Sequence, residues 1–112
     1  TEYINQMPTA GASTFPNGTI IVKEVGANDP PNHHLFVMVK RGCGFNAGGA
    51  AGWEWMEITE ASPSGVILWR GVGPPVNEVY GGDPAGCNSC HRACSSNDSV
   101  CSPQIRLAPL GP

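Results

Sequence analysis

The 112-residue chain carries six Lys or Arg against nine Asp or Glu, a formal charge of −3, and only 13% of its residues are charged. It therefore lacks the basic footprint of a nucleic-acid binder, and no run approaches the roughly 18 apolar residues of a membrane span. Fifteen glycines and eleven prolines favour short strands joined by turns over a helical bundle, in one small domain.

Residues 1–17 are polar and broken by Pro8 and Pro16, with one helical turn expected over Glu2 to Met7. Gly18 to Val25 is a β-branched run closed by Gly26, so a strand. Asn28-Asp29-Pro30-Pro31 is turn chemistry, and His34 to Lys40 forms a second strand stopped at Arg41-Gly42. The Gly- and Ala-rich stretch from Gly42 to Gly52 is expected to be a hairpin connection. Trp53 to Thr59 alternates bulky apolar with acidic residues over its first half, as a half-buried strand does. Ser62-Pro63-Ser64-Gly65 is a further turn, Val66 to Arg70 a fourth strand, and Gly71 to Gly86 a Gly/Pro-rich loop. The expected fold is mainly β: an antiparallel meander or sandwich of about four to five strands with a short C-terminal helix.

That helix carries Cys87-Asn88-Ser89-Cys90-His91. A C-x-x-C-H run reads as a c-type haem attachment site. Two thiols three positions apart on one helical turn can each add to a haem vinyl group. The His that follows is then held under the iron as its proximal axial ligand. Two other readings compete: a four-thiolate zinc site from Cys87, Cys90, Cys94 and Cys101, and a redox pair, which would want a βαβ context that this chain lacks. One covalent haem c, with His91 as the metal ligand, is the working expectation.

Five cysteines in so short a chain point to an oxidising compartment, so the chain is expected to be exported to a bacterial periplasm or secreted, its signal already removed. With Cys87 and Cys90 given to haem, Cys94 and Cys101 flank a turn-forming segment and are expected to pair, leaving Cys43 over.

Phe15-Pro16-Asn17-Gly18-Thr19-Ile20-Ile21-Val22-Lys23-Glu24 resembles the F-P-x-G-T-x-x-V-K-E strand of the cytochrome P-460 family. Val37-Met38-Val39-Lys40-Arg41 and Gly52-Trp53-Glu54-Trp55 are similar to its next two strands, and the C-x-x-C-H run followed by Asn97-Asp98-Ser99-Val100 to its ending. These landmarks cover roughly residues 15–100 in the family's order. The resemblance implies a lead segment over 1–14 and a single haem domain over 15–112, often in a homodimer. Relatives include hydroxylamine-oxidising enzymes and the β-sheet cytochromes c′ that bind nitric oxide. The implied partners are a small nitrogenous substrate or gas ligand and a soluble electron-transfer protein. Only 14 residues precede Phe15, where family members usually carry a longer helical region.

In the enzymatic members a lysine near the start is bonded to the haem macrocycle, and Lys23 occupies that V-K-E position. Strand alternation puts Lys23 on one face with Ile21 and Val25, which is expected to be the haem face; the alternative core face holds Ile20 and Val22. Lys40, outside that motif, is expected to matter little. Oxidation of hydroxylamine needs a base, for which Asp83, Glu78 and Glu54 are candidates. Asp83 lies just before the haem motif, within a Gly-Asp-Pro run that is also ordinary turn chemistry. Phe36, Phe45 and Met38 are candidates for an apolar distal pocket. Met7, Met38, Met56, His33 or His34 would serve as sixth ligand in an electron carrier, though the two histidines are expected to be exposed turn residues. Arg92 is placed to pair with a haem propionate. Trp53, Trp55 and Trp69 are expected in the core.

Overall fold

The computed structural model describes residues 1–59, 65–76, 78 and 86–109. Five strands form one antiparallel sheet in chain order: β1 (Glu2–Ile4), β2 (Ile20–Val25), β3 (His34–Lys40), β4 (Trp53–Ile58) and β5 (Ile67–Gly71). A short helix α1 (Gly86–His91) follows and runs into a 3-10 helix over Arg92–Asn97. The meander expected from the turn spacing is present, and the described strands all belong to this one sheet. Glu2–Ile4 is a strand, not the expected helical turn. It pairs with Ile21–Lys23, so the sheet edge supplies hydrogen-bond partners to a segment too short to nucleate a helix.

Register assigns the two faces. Ile4, Ile21, Met38 and Trp55 lie side by side across four strands, and Lys23, Phe36, Glu57 and Trp69 form the next row on the same face. This face carries the main core: Phe15, Ile21, Met38, Trp53, Trp55 and Trp69 pack with Val100 and Ile105 from the C-terminal segment, and Cys87 sits against them. The C-terminal segment therefore lies over this face. Fully burying one such aromatic or aliphatic side chain stabilises by about 1.5–3 kcal/mol, and among the described residues no helix longer than six residues contributes.

The opposite face buries Val37, Val39 and Met56 in a smaller cluster. Glu54 is buried there too, and both of its oxygens are occupied: Arg41 and Arg70 each donate to it at 2.8–2.9 Å. The Arg70 hydrogen bond holds the Glu54 carboxyl below the usual carboxylate range, against the opposing pull of burial and with Arg41 assisting. A depressed carboxylate contributes stability that is present above its unfolded-state pKa and is lost as pH falls through its folded-state pKa. Glu54→Gln is expected to cost about 1–2 kcal/mol at neutral pH, modest because both arginines stay partly solvated. Denaturant titrations should show the deficit shrinking as pH falls below the unfolded-state pKa of Glu54 and through its lowered folded-state pKa.

Candidate functional site

Helix α1 is fixed to the sheet through Asn88, the first residue between the two motif cysteines. Its Oδ1 accepts hydrogen bonds from Asn46 Nδ2 (2.8 Å), the Ala50 amide (3.0 Å) and Trp55 Nε1 (2.8 Å). Its Nδ2 donates to Asn46 Oδ1 and to the Val72 carbonyl. The 42–52 connection thus forms a socket for this amide. A Cβ on Gly49 would stand 2.3 Å from the Asn88 side chain, so only glycine permits the approach. Asn46 completes the socket from the left-handed region (φ 53°), which asparagine tolerates better than most residues.

With Asn88 turned into the sheet, Cys87 is half-buried, and Cys90 is exposed; both are free thiols. Burial and the neighbouring Cys90 push the Cys87 thiol up to about 11. A redox dithiol works through a thiolate of lowered pKa, so Cys87 is tuned the opposite way. Cys94 and Cys101 are joined in a disulfide, and Cys43 is free and exposed, as expected. That bond takes two of the four thiolates the zinc reading required.

His91 ends α1 with its ring edge-on to Trp55, centroids 4.6 Å apart. Its Nδ1 lies 2.6 Å from the Ser99 carbonyl; a carbonyl only accepts, so Nδ1 carries the proton. Nε2 makes no hydrogen bond among the described residues and presents its lone pair. Burial holds the imidazole below its ordinary pKa, the Ser99 bond opposes this, and the Lys23 charge adds to the lowering. Lys23 thus stands within electrostatic reach of His91 on the Ile21 face, as alternation led one to expect. Its side chain is exposed.

Other expected site residues fare differently. Asp83 lies outside the described residues. Glu54 is on the face away from His91 and is paired with two arginines, so it is not placed to act as a base beside that histidine; Glu78 is half-buried in the loop after β5. Met56 is on that far face as well, Met7 is exposed, and Met38 packs in the main core. The two histidines are not exposed turn residues: His33 pairs with Glu24 at 2.9 Å, and His34, within β3, pairs with Glu57 at 2.7 Å. Arg92 is exposed at the start of the 3-10 helix. Phe36 lies between Lys23 and Glu57 across the strands.

Three features around this site went unread in the sequence. Glu57 is buried on the His91 face, where it accepts from Trp69 Nε1 at 3.0 Å and meets His34 Nδ1 at 2.7 Å. Its parity with Trp53 and Trp55 in β4 was the available signal. Asn88 and the Lys40–Asp98 ion pair are the others.

No family model, curated protein or solved structure matches the chain.

Asn88→Ala leaves the Trp55 indole and the Ala50 amide without their acceptor, and a buried donor so stranded costs about 1–3 kcal/mol. Thermal denaturation should show a marked loss, with Gly49→Ala phenocopying it. Peptide mapping without reduction should recover Cys94 linked to Cys101 and alkylated Cys43; a cross-linked Cys43 peptide would contradict the pairing.

Proposed function

We propose that the chain is a c-type haem protein of the cytochrome P-460 type, holding one haem through Cys87 and Cys90 with His91 as axial ligand. The observation that carries this reading is the donor set: two free thiols and an imidazole with Nδ1 held by a carbonyl and Nε2 open, all on one turn. That is the ligating tautomer of a histidine, oriented by its other nitrogen. The raised Cys87 pKa and the Cys94–Cys101 disulfide speak against the dithiol and zinc alternatives. When bound, the group would supply an iron able to accept electrons from a small nitrogen species such as hydroxylamine.

The chain's own residues would do the rest. Trp55, which stands against His91 and is paired with Met38 across the sheet, would supply an apolar wall there. Lys23 is the candidate for a bond to the macrocycle. Proton acceptance falls to a carboxylate, with Glu57 the buried one on this face and Asp83 the loop candidate. Glu57 is backed by His34, whose side chain is 37% exposed against 6% for Glu57, so the pair leads from the interior toward solvent. Arg92 is free to meet a propionate. Electrons would leave to a soluble carrier in the periplasm or outside the cell, and a homodimer fits the family pattern. The sandwich arrangement of strands belongs to the same reading.

A second reading, a gas-binding or electron-transfer cytochrome with no lysine bond, is favoured by the exposure of Lys23. Digestion and mass spectrometry separate the two. The enzyme reading expects the Lys23 peptide to travel with haem and the Cys87–His91 peptide, and Lys23→Ala to restore an ordinary c-type spectrum. A free Lys23 peptide in native protein puts the carrier reading first. Under the enzyme reading Glu57→Gln should lower hydroxylamine oxidation at least tenfold with haem content unchanged. A full rate in that variant, with a loss in Asp83→Asn, would move the proton role to Asp83.

A further inference from the structure

Lys40 and Asp98 are 58 positions apart and meet inside the protein. Lys40 Nζ donates to both Asp98 oxygens, at 2.9 and 2.8 Å, and to the Ala51 carbonyl at 3.2 Å. The side chains are only 7% and 10% exposed. The ammonium also stands 5.0 Å from the centre of the Trp53 ring, within cation–π range. Gly52 makes the room: at φ +88° its hypothetical Cβ would stand 2.9 Å from Lys40 Cε and Nζ.

Asp98 is gripped at three further points. Its Oδ2 accepts from the Phe15 amide at 2.8 Å, its carbonyl accepts from Trp53 Nε1 at 2.7 Å, and its own amide donates to Ser95. Asp98 and Ser99 are both in the left-handed region, at φ 52° and 67°. For non-glycine residues such a backbone is costly and persists only where the surroundings over-determine it. Lys40, Trp53 and the Cys94–Cys101 disulfide that closes this loop are those surroundings. The outcome of the turn is the direction of one carbonyl, that of Ser99, aimed at His91 Nδ1.

We infer that Lys40 and Asp98 are positioning residues for the axial ligand: by clamping the 98–99 turn they hold the Ser99 carbonyl on His91 and so set how strongly His91 donates to iron. This rests on the haem reading above and adds to it a tuning device built from residues that touch neither haem nor substrate. A hydrogen bond from Nδ1–H gives the imidazole more anionic character and makes it a stronger donor. Stronger donation favours the ferric state and lowers the reduction potential, since axial-ligand electronics are one of the protein's levers on haem. Releasing the clamp weakens the bond and raises the potential. Lys40, expected to matter little, is thereby given a role.

The test uses holoprotein of Lys40→Met, Asp98→Asn and Lys40→Arg, with haem content read first as the pyridine haemochrome. The ferrous iron–histidine stretch by resonance Raman and the reduction potential by spectroelectrochemistry are then compared with wild type. Lys40→Met and Asp98→Asn should lower the stretching frequency and raise the potential, and Lys40→Arg, which keeps the charge, should restore both toward wild type. A lowered melting temperature with stretch and potential unchanged in both variants would overturn the inference, leaving the clamp purely structural. If Lys40→Met does not fold, Asp98→Asn, which keeps the acceptor for Phe15, carries the comparison alone. Wild-type protein without haemochrome would instead overturn the haem reading.

Discussion

An ammonium group at the end of β3, enclosed by Trp53, Gly52 and Ala51, requires an anion beside it, and Asp98 is that anion. Removing one partner from a buried pair leaves an uncompensated charge, a loss of about 3–5 kcal/mol. Much of the molecule is organised by this constraint. It draws the C-terminal segment across the sheet, ties the Phe15 backbone to it, and sets the indole of Trp53, the most deeply buried large side chain, against the Asp98 carbonyl. The main core closes because the segment carrying Val100 and Ile105 is anchored at Asp98.

A second anchor, Asn88, acts within the motif itself, ahead of His91. Between them the two fix both ends of the stretch from Cys87 to Ser99, so that His91 is held by structure on each flank. The loop between β3 and β4 serves both anchors, with Asn46, Gly49 and Ala50 receiving Asn88 and Gly52 admitting Lys40. Strand-rich scaffolds place chemistry on connections of this kind, where the sheet supplies rigidity and the loops supply geometry.

Local patterns in the sequence carried the strands and the motif. His34 to Lys40 agrees with β3 residue for residue, because its largely apolar run is bounded by Pro31 and Gly42, while β1 was missed because three residues hold no period. That Lys23 shares a face with Ile21 followed from alternation, but which face holds the core did not, since Ile20 and Val22 are apolar as well. The same alternation would have separated Glu57 from Glu54, which differ by an odd number of positions and so lie on opposite faces. What no local pattern encodes is a partner 58 residues away: Lys40 read as an ordinary strand-end lysine, and Asp98 as part of a turn. The αL conformation at Asp98 and Ser99 was equally hidden, since neither is the glycine that usually marks it.

The proposed haem function requires covalent attachment at Cys87 and Cys90. The most direct measurement is the intact mass of the chain produced with a cytochrome c maturation system. The predicted result is the 11.7 kDa polypeptide plus one haem, with only Cys43 open to alkylation in denaturant. A bare polypeptide mass, with Cys87 and Cys90 both alkylated, would contradict it.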